Sequence, residues 1–147
     1  MNEKRGLLAG IAAIIVYNFL QYLGHDVWLL RDYHATAGIW RMREQIPVSM
    51  LLLGSSIYGA LFTRFFIKFY EGSGLLDGVR FGTYATWLVA LPQVLTMYAI
   101  LPVGQPLAAK WLGLAFVENL ALGVLVAAIY GTSAERRDAI PAKAAGA

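Results

Sequence analysis

A chain of 147 residues with 59% hydrophobic and only 14% charged residues departs from soluble domains, which hold about 45–50% apolar and about 25% charged residues. The net charge of +3 comes from bases scattered at the ends of apolar runs rather than gathered on a polar face, so nucleic acid is not an expected partner. The absence of Cys excludes disulfides, thiolate catalysis and Cys-ligated metals.

The expected fold is all-α: a polytopic transmembrane four-helix bundle with an interfacial segment between helices 1 and 2. Four uncharged or nearly uncharged runs predict spans at about 6–25, 46–69, 79–101 and 106–130, near the roughly 20 apolar residues that a crossing needs. Inside lipid every backbone polar group must be paired within its own segment, which makes each span helical. A β-barrel is disfavoured because runs such as Leu7–Val16 and Ala121–Ile129 lack two-residue alternation.

The first run follows Lys4 and Arg5 and could be mistaken for a signal peptide, but no small-residue cleavage site follows it directly, so it is read as a retained span. The connection 26–45 mixes Trp28, Tyr33, His34 and Trp40 with three Arg and three acids. It is expected to lie in the membrane interface, partly helical, with Trp28 and Trp40 at headgroup depth; anchoring explains its composition, and a lid over a cavity is the alternative. Arg64 and Lys68, set among Phe65, Phe66, Phe69 and Tyr70, are expected to reach headgroup phosphates from the end of the second span. Trp111 is a further expected interface anchor. Gly72 and Gly74 break the chain after that span. Pro102 ends the third span, a tight hairpin is expected at 101–105, and Pro106 suits the first turn of the fourth. A single transmembrane domain over 1–134 is expected, followed by a polar, disordered tail at 135–147.

Lys and Arg set the orientation. With four spans, Lys4, Arg5, Arg64, Lys68, Arg80, Arg136, Arg137 and Lys143 share one side, against Arg31, Arg41, Arg43 and Lys110 on the other. The expectation is a multi-pass protein of an inner (plasma) membrane with both termini cytoplasmic.

Glu118 is the most informative residue, since an ionisable group near the middle of a span costs roughly 2.5–3.5 kcal/mol on insertion scales and rarely faces lipid. Depth arithmetic at 1.5 Å per residue places Asn18, Gln93, Ser55 and Ser56 at a similar level, with Asn119 beside the acid. One polar layer built from every helix is therefore expected, and Pro92 would free the Leu88 carbonyl near it. Such a layer serves either as interhelical glue or as a ligand or proton site. The small-residue pairs Gly6/Gly10, Ser55/Gly59, Ser56/Ala60 and Gly78/Gly82 mark expected close helix contacts. Gly6, Gly10 and Gln21 recur at one fixed offset as Gly78, Gly82 and Gln93, a faint internal repeat. His25 with Asp26 and His34 with Asp32 match no metal-site spacing, and no phosphate loop, nucleophile elbow, zincin helix or dinucleotide fingerprint is present. No catalytic residue, metal or cofactor is assigned.

The runs Tyr22-Leu23-Gly24-His25, Trp28-Leu29-Leu30-x-Asp32-Tyr33, Trp40, Gly54-x3-Tyr58-Gly59 and Gly74-Leu75-Leu76-x-Gly78-x3-Gly82 resemble those of uncharacterised families of small bacterial four-helix membrane proteins. The resemblance implies fold and location but no activity. Size and an intramembrane Glu are also similar to small multidrug-resistance exporters, whose essential Glu lies in the first helix; here helix one carries Asn18 and the acid is in helix four. The function classes that remain are a membrane scaffold or accessory protein, a small carrier or channel using the Glu118 layer, and, more weakly, a lipid-modifying enzyme with Glu118 or His25 as acid–base. The expected partners are the bilayer and either a second copy of the chain or a membrane-complex subunit.

Overall fold

A computed structural model describes residues 3–131, and among these every regular element is helical. The expected tail at 135–147 lies outside the described residues. Helix α1 (Glu3–Gln21) runs directly into a π-helical stretch, Tyr22–Trp28. A short α2 (Leu30–Ala35) and two 3₁₀ turns, Ala37–Ile39 and Arg43–Gln45, form the first connection. Helix α3 spans Val48–Phe69. Helix α4 (Leu75–Ala85), a π-helical turn Thr86–Ala90 and α5 (Leu91–Ile100) follow one another without a break, and α6 (Gln105–Gly131) closes the chain.

Three helical segments are long and apolar enough to cross a membrane: Glu3–Trp28, Val48–Phe69 and Gln105–Gly131. The third expected span behaves differently. It is helical from Leu75 rather than from 79, and Thr83, Thr86, Pro92, Gln93 and Thr96 dilute its apolar character. Pro92 also leaves its mark on the backbone. A proline inside a helix donates no hydrogen bond and crowds the carbonyl four residues earlier. The turn just ahead of it widens, so that the Leu91 N–H reaches back five residues to the Thr86 carbonyl. The helix absorbs the defect as a π turn.

Polarity is inverted relative to a soluble protein. Leu51, Leu52, Leu53, Ile57, Leu61, Phe65 and Leu88 are exposed, the last at 79%, whereas Glu118, Asn119, Thr86 and Thr63 are buried. The buried apolar core is small and sits toward the C-terminal end of α6, where Ala9 and Ala13 of α1, Phe62 and Phe66 of α3, and Leu122, Val126 and Ala127 of α6 meet. Phe81 of α4 packs edge-on against Phe62 and Phe66, with ring centroids 4.9 and 5.7 Å away.

Close packing depends on glycine at the α4–α6 contact. A Cβ added to Gly78 would overlap the Gly123 carbonyl, one on Gly82 would overlap the Asn119 carbonyl, and one on Gly123 would overlap the Gly78 carbonyl. The two backbones therefore touch, as small residues allow in membrane bundles. A Cβ added to Gly59 of α3 would lie 3.2 Å from the backbone of Ile14, while ones on Gly6 and Gly10 would meet only side chains of α3. The Gly6/Gly10 and Gly78/Gly82 pairs, related by the sequence repeat, thus face different surroundings.

The turn before α4 is built on Asp77, buried in the first turn of that helix. Its Oδ2 accepts from the backbone N–H of Glu71 at 3.1 Å and of Ser73 at 2.9 Å. Gly72 and Gly74 take positive φ values of 95° and 63°, a region open to glycine at little cost.

Candidate functional site

Two adjacent residues near the centre of α6, Glu118 and Asn119, are 2% and 3% exposed. They point to different neighbours and are satisfied to different degrees. Tyr58 of α3 donates to Asn119 Oδ1 at 2.7 Å, Asn119 Nδ2 donates to Thr86 Oγ1 at 3.1 Å, and Thr86 Oγ1 donates to the Gly82 carbonyl at 3.0 Å. The Asn119 amide is held from both ends, and one chain of hydrogen bonds ties α3, α6 and α4 together.

Glu118 faces α1 instead. Gln21 Nε2 donates to Glu118 Oε2 at 3.2 Å and also to the Tyr17 hydroxyl at 2.8 Å. The other carboxyl oxygen, Oε1, is buried and has no hydrogen-bond partner among the described residues. Tyr17 and Tyr58 stand beside each other with ring centroids 4.8 Å apart. Toward the end of α6, the apolar side chains of Leu122, Val126, Phe62 and Phe66 seal the bundle. Toward its start, Leu114 presses against Gly24 in the π stretch after α1, so closely that a Cβ there would meet the Leu114 side chain at 2.5 Å.

The other sequence-derived positions divide. Asn18 Nδ2 donates to Ser56 Oγ at 3.3 Å and to the Ile14 carbonyl at 2.9 Å, a separate link between α1 and α3. Ser55 donates to the Leu51 carbonyl of its own helix. Gln93 is exposed and does not join the layer; it lies seven residues beyond Thr86, about 10 Å further along the rod at 1.5 Å per residue, where neighbouring residues face the start of α6. Thr86 takes its place. Tyr17, Gln21, Tyr58 and Thr86 were missed as layer members. A signal for two of them existed in the sequence, since Tyr17 and Gln21 are four residues apart and so share a helix face.

Beyond Leu114 lies a second cluster, formed where the first connection folds onto the start of α6. The Trp111 indole N–H donates to the Tyr33 hydroxyl at 2.9 Å, and that hydroxyl lies 2.6 Å from His25 Nδ1. With Trp111 donating, the Tyr33 O–H is free to donate to His25. Trp40 packs edge-on against Tyr33 and Trp111, and its indole N–H donates to Thr36 Oγ1 at 2.8 Å. Leu29, Val103 and Leu107 form the apolar floor. Lys110 donates to both oxygens of Asp32 at 2.7 and 2.9 Å. Burial pushes the Tyr33 phenol up to about 12, against the opposing pull of the Trp111 hydrogen bond. The expected anchors at this end therefore separate: Trp28 is exposed, whereas Trp40 and Trp111 turn partly inward. Arg64 and Lys68 are exposed.

A shallow apolar groove between α5 and the start of α6, lined by Leu91, Val94, Leu95, Tyr98, Ala108 and Leu112, does not reach Glu118. Among the described residues no three His, Asp or Glu side chains gather as a metal site would. No protein-family model matches the chain, and no curated protein or solved structure is significantly similar to it.

Proposed function

We propose that the chain is a multi-pass protein of an inner or plasma membrane that crosses the bilayer four times, keeps both termini cytoplasmic, and acts as a scaffold or accessory protein. The inverted polarity carries this reading. Large apolar side chains cover the outside of α1, α3 and α5 while Glu118, Asn119, Thr86 and Thr63 are turned inward, which suits a lipid surround. The α4–π–α5 rod supports a fourth crossing. Its uninterrupted run, Leu75–Ile100, is about 39 Å long at 1.5 Å per residue, enough for the hydrocarbon core. The chain of hydrogen bonds through Asn119 supports a structural role, because its amide is engaged at both oxygen and nitrogen by side chains of two other helical segments.

The natural sequence lacks Cys, so single cysteines report topology without background. Ser73→Cys and Gly104→Cys, in the exposed connections at either end of the α4–π–α5 rod, should react with an impermeant maleimide from opposite sides of the membrane, the first from the cytoplasm. Labelling of both from one side refutes four crossings. Copurification with one fixed membrane partner, unchanged in Glu118→Gln, supports the accessory role. Solute flux in proteoliposomes that is lost in Glu118→Gln would replace it with the carrier reading.

A further inference from the structure

The membrane-embedded reading leaves Glu118 unexplained, since its neighbour already ties the helices together. A buried polar atom without a partner is rare in folded proteins and calls for a reason, and an ionisable group within a span is a functional candidate by default. Glu118 Oε1 is such an atom. The groups that face it are Tyr17 and Gln21 from α1, Tyr58 from α3 and, past Leu114, Tyr33 from the first connection with His25 beside it. The α4–π–α5 rod meets this part of α6 through Gly82 and Thr86, which carry no charge. The nearby base in sequence, Lys110, is engaged by Asp32. No cation supplies a counter-charge here among the described residues, and a side chain 2% exposed leaves no room for a molecule.

We propose that Glu118 is a reversible proton-binding site, loaded from the side of the membrane that carries His25, Tyr33 and Lys110. An O–H bond forms at Oε1 with a proton drawn from bulk water, and its loss returns that proton; no electron transfer is involved. The direction follows from what borders the site. Toward the end of α6 the buried Leu122, Val126, Phe62 and Phe66 close the bundle, whereas toward its start Leu114, one turn before Glu118, packs against the cluster that holds Tyr33, His25 and Trp111. Leu114 seats on Gly24 within a π stretch, a backbone form that often marks functional places in helices.

The test is infrared spectroscopy of the full chain in phosphatidylcholine vesicles. A protonated-carboxyl C=O band that is lost in Glu118→Gln, and that falls and returns as bulk pH is raised and lowered, is the expected result. Absence of any such band, or a band that stays constant wherever the fold is retained, overturns the proposal. The constant band would leave the membrane reading intact, which the cysteine-labelling experiment tests separately. Glu118→Asp covers the case in which the amide variant does not fold, since it must displace the titration midpoint; an unmoved midpoint assigns the band elsewhere and refutes the site. For the route, Leu114→Ala should speed the shift of the band in D₂O by about tenfold by easing local opening, with Val126→Ala leaving it unchanged. Acceleration by Val126→Ala and not by Leu114→Ala reverses the assigned side.

Discussion

Replacing Gly82 by Ala tests the backbone contact between α4 and α6. The added Cβ would lie 2.8 Å from the Asn119 carbonyl carbon and 3.0 Å from Leu120 Cα, where ordinary contact starts at 3.4 Å. The Asn119 carbonyl oxygen lies nearer still, and all three obstacles are backbone, so no side-chain rotation relieves them and α4 must move off α6 by at least about 0.6 Å, the difference between 3.4 and 2.8 Å. That displacement takes the 3.1 Å bond from Asn119 Nδ2 to Thr86 Oγ1 to about 3.7 Å, past hydrogen-bond range. Overpacking of this kind costs about 1–3 kcal/mol, and an interhelical hydrogen bond in a membrane adds about 0.6 kcal/mol on average. Reversible unfolding in mixed micelles, followed by circular dichroism over a denaturing-detergent series, measures the sum. Gly54→Ala is the control, since nothing lies within 4 Å of its added Cβ and Ala suits a helix better than Gly. Equal unfolding midpoints for Gly82→Ala and the wild type would refute the backbone contact.

Three further outcomes follow from the same geometry. Thr86→Val removes the acceptor for Asn119 and should lower stability by about 0.6 kcal/mol, with about 1.7 as the upper end, whereas Gln93→Leu should be neutral in the same micelle assay. Asp77→Ala orphans the N–H groups of Glu71 and Ser73, at a cost of about 1–3 kcal/mol; faster proteolysis within residues 70–74 would show it. Tyr33 binds its proton more tightly in the folded cap that the first connection forms over the start of α6, at about 12 against 10.0 for the free phenol. Its contribution is complete below pH 10.0 and is lost as pH rises from there toward about 12. Trp111 fluorescence should report the loosening over that window, and Tyr33→Phe should abolish this pH dependence while weakening the cap at neutral pH.

Burial of Glu118 was legible because one charge in a long apolar run has few places to go. The level of Gln93 was the harder quantity. Thr86 meets Asn119, and Gln93 lies seven residues further along the rod and is exposed, because α4 begins at Leu75 and packs through Gly78 and Gly82 onto Gly123 and Asn119. Pro92 signalled a defect in the sequence, yet proline permits either a kink or a widened turn, and packing on α6 decides between them. The aromatic composition of the first connection indicated an interface segment. It could not indicate that Tyr33 and Trp40 would meet Trp111, because that pairing is made between residues 78 apart for Tyr33 and Trp111. The role of Asp77 emerges only when Gly72 and Gly74 bend two N–H groups back onto it.

The widened turn at Thr86–Ala90 also sets what one rod can touch. A straight α-helix lying across α6 at an angle would meet it once and then diverge. Here the upstream half addresses the middle of α6 through Gly78 and Gly82, and the downstream half presents Leu91, Val94, Leu95 and Tyr98 to its beginning. The extra residue in the turn acts as a phase shifter between two contact stripes. Deleting one residue from 86–90 would restore α-helical phase and turn the second stripe away by about 100°, the rotation per residue at 3.6 per turn. The insertion is thus what lets a single helix stay in step with its partner along both halves.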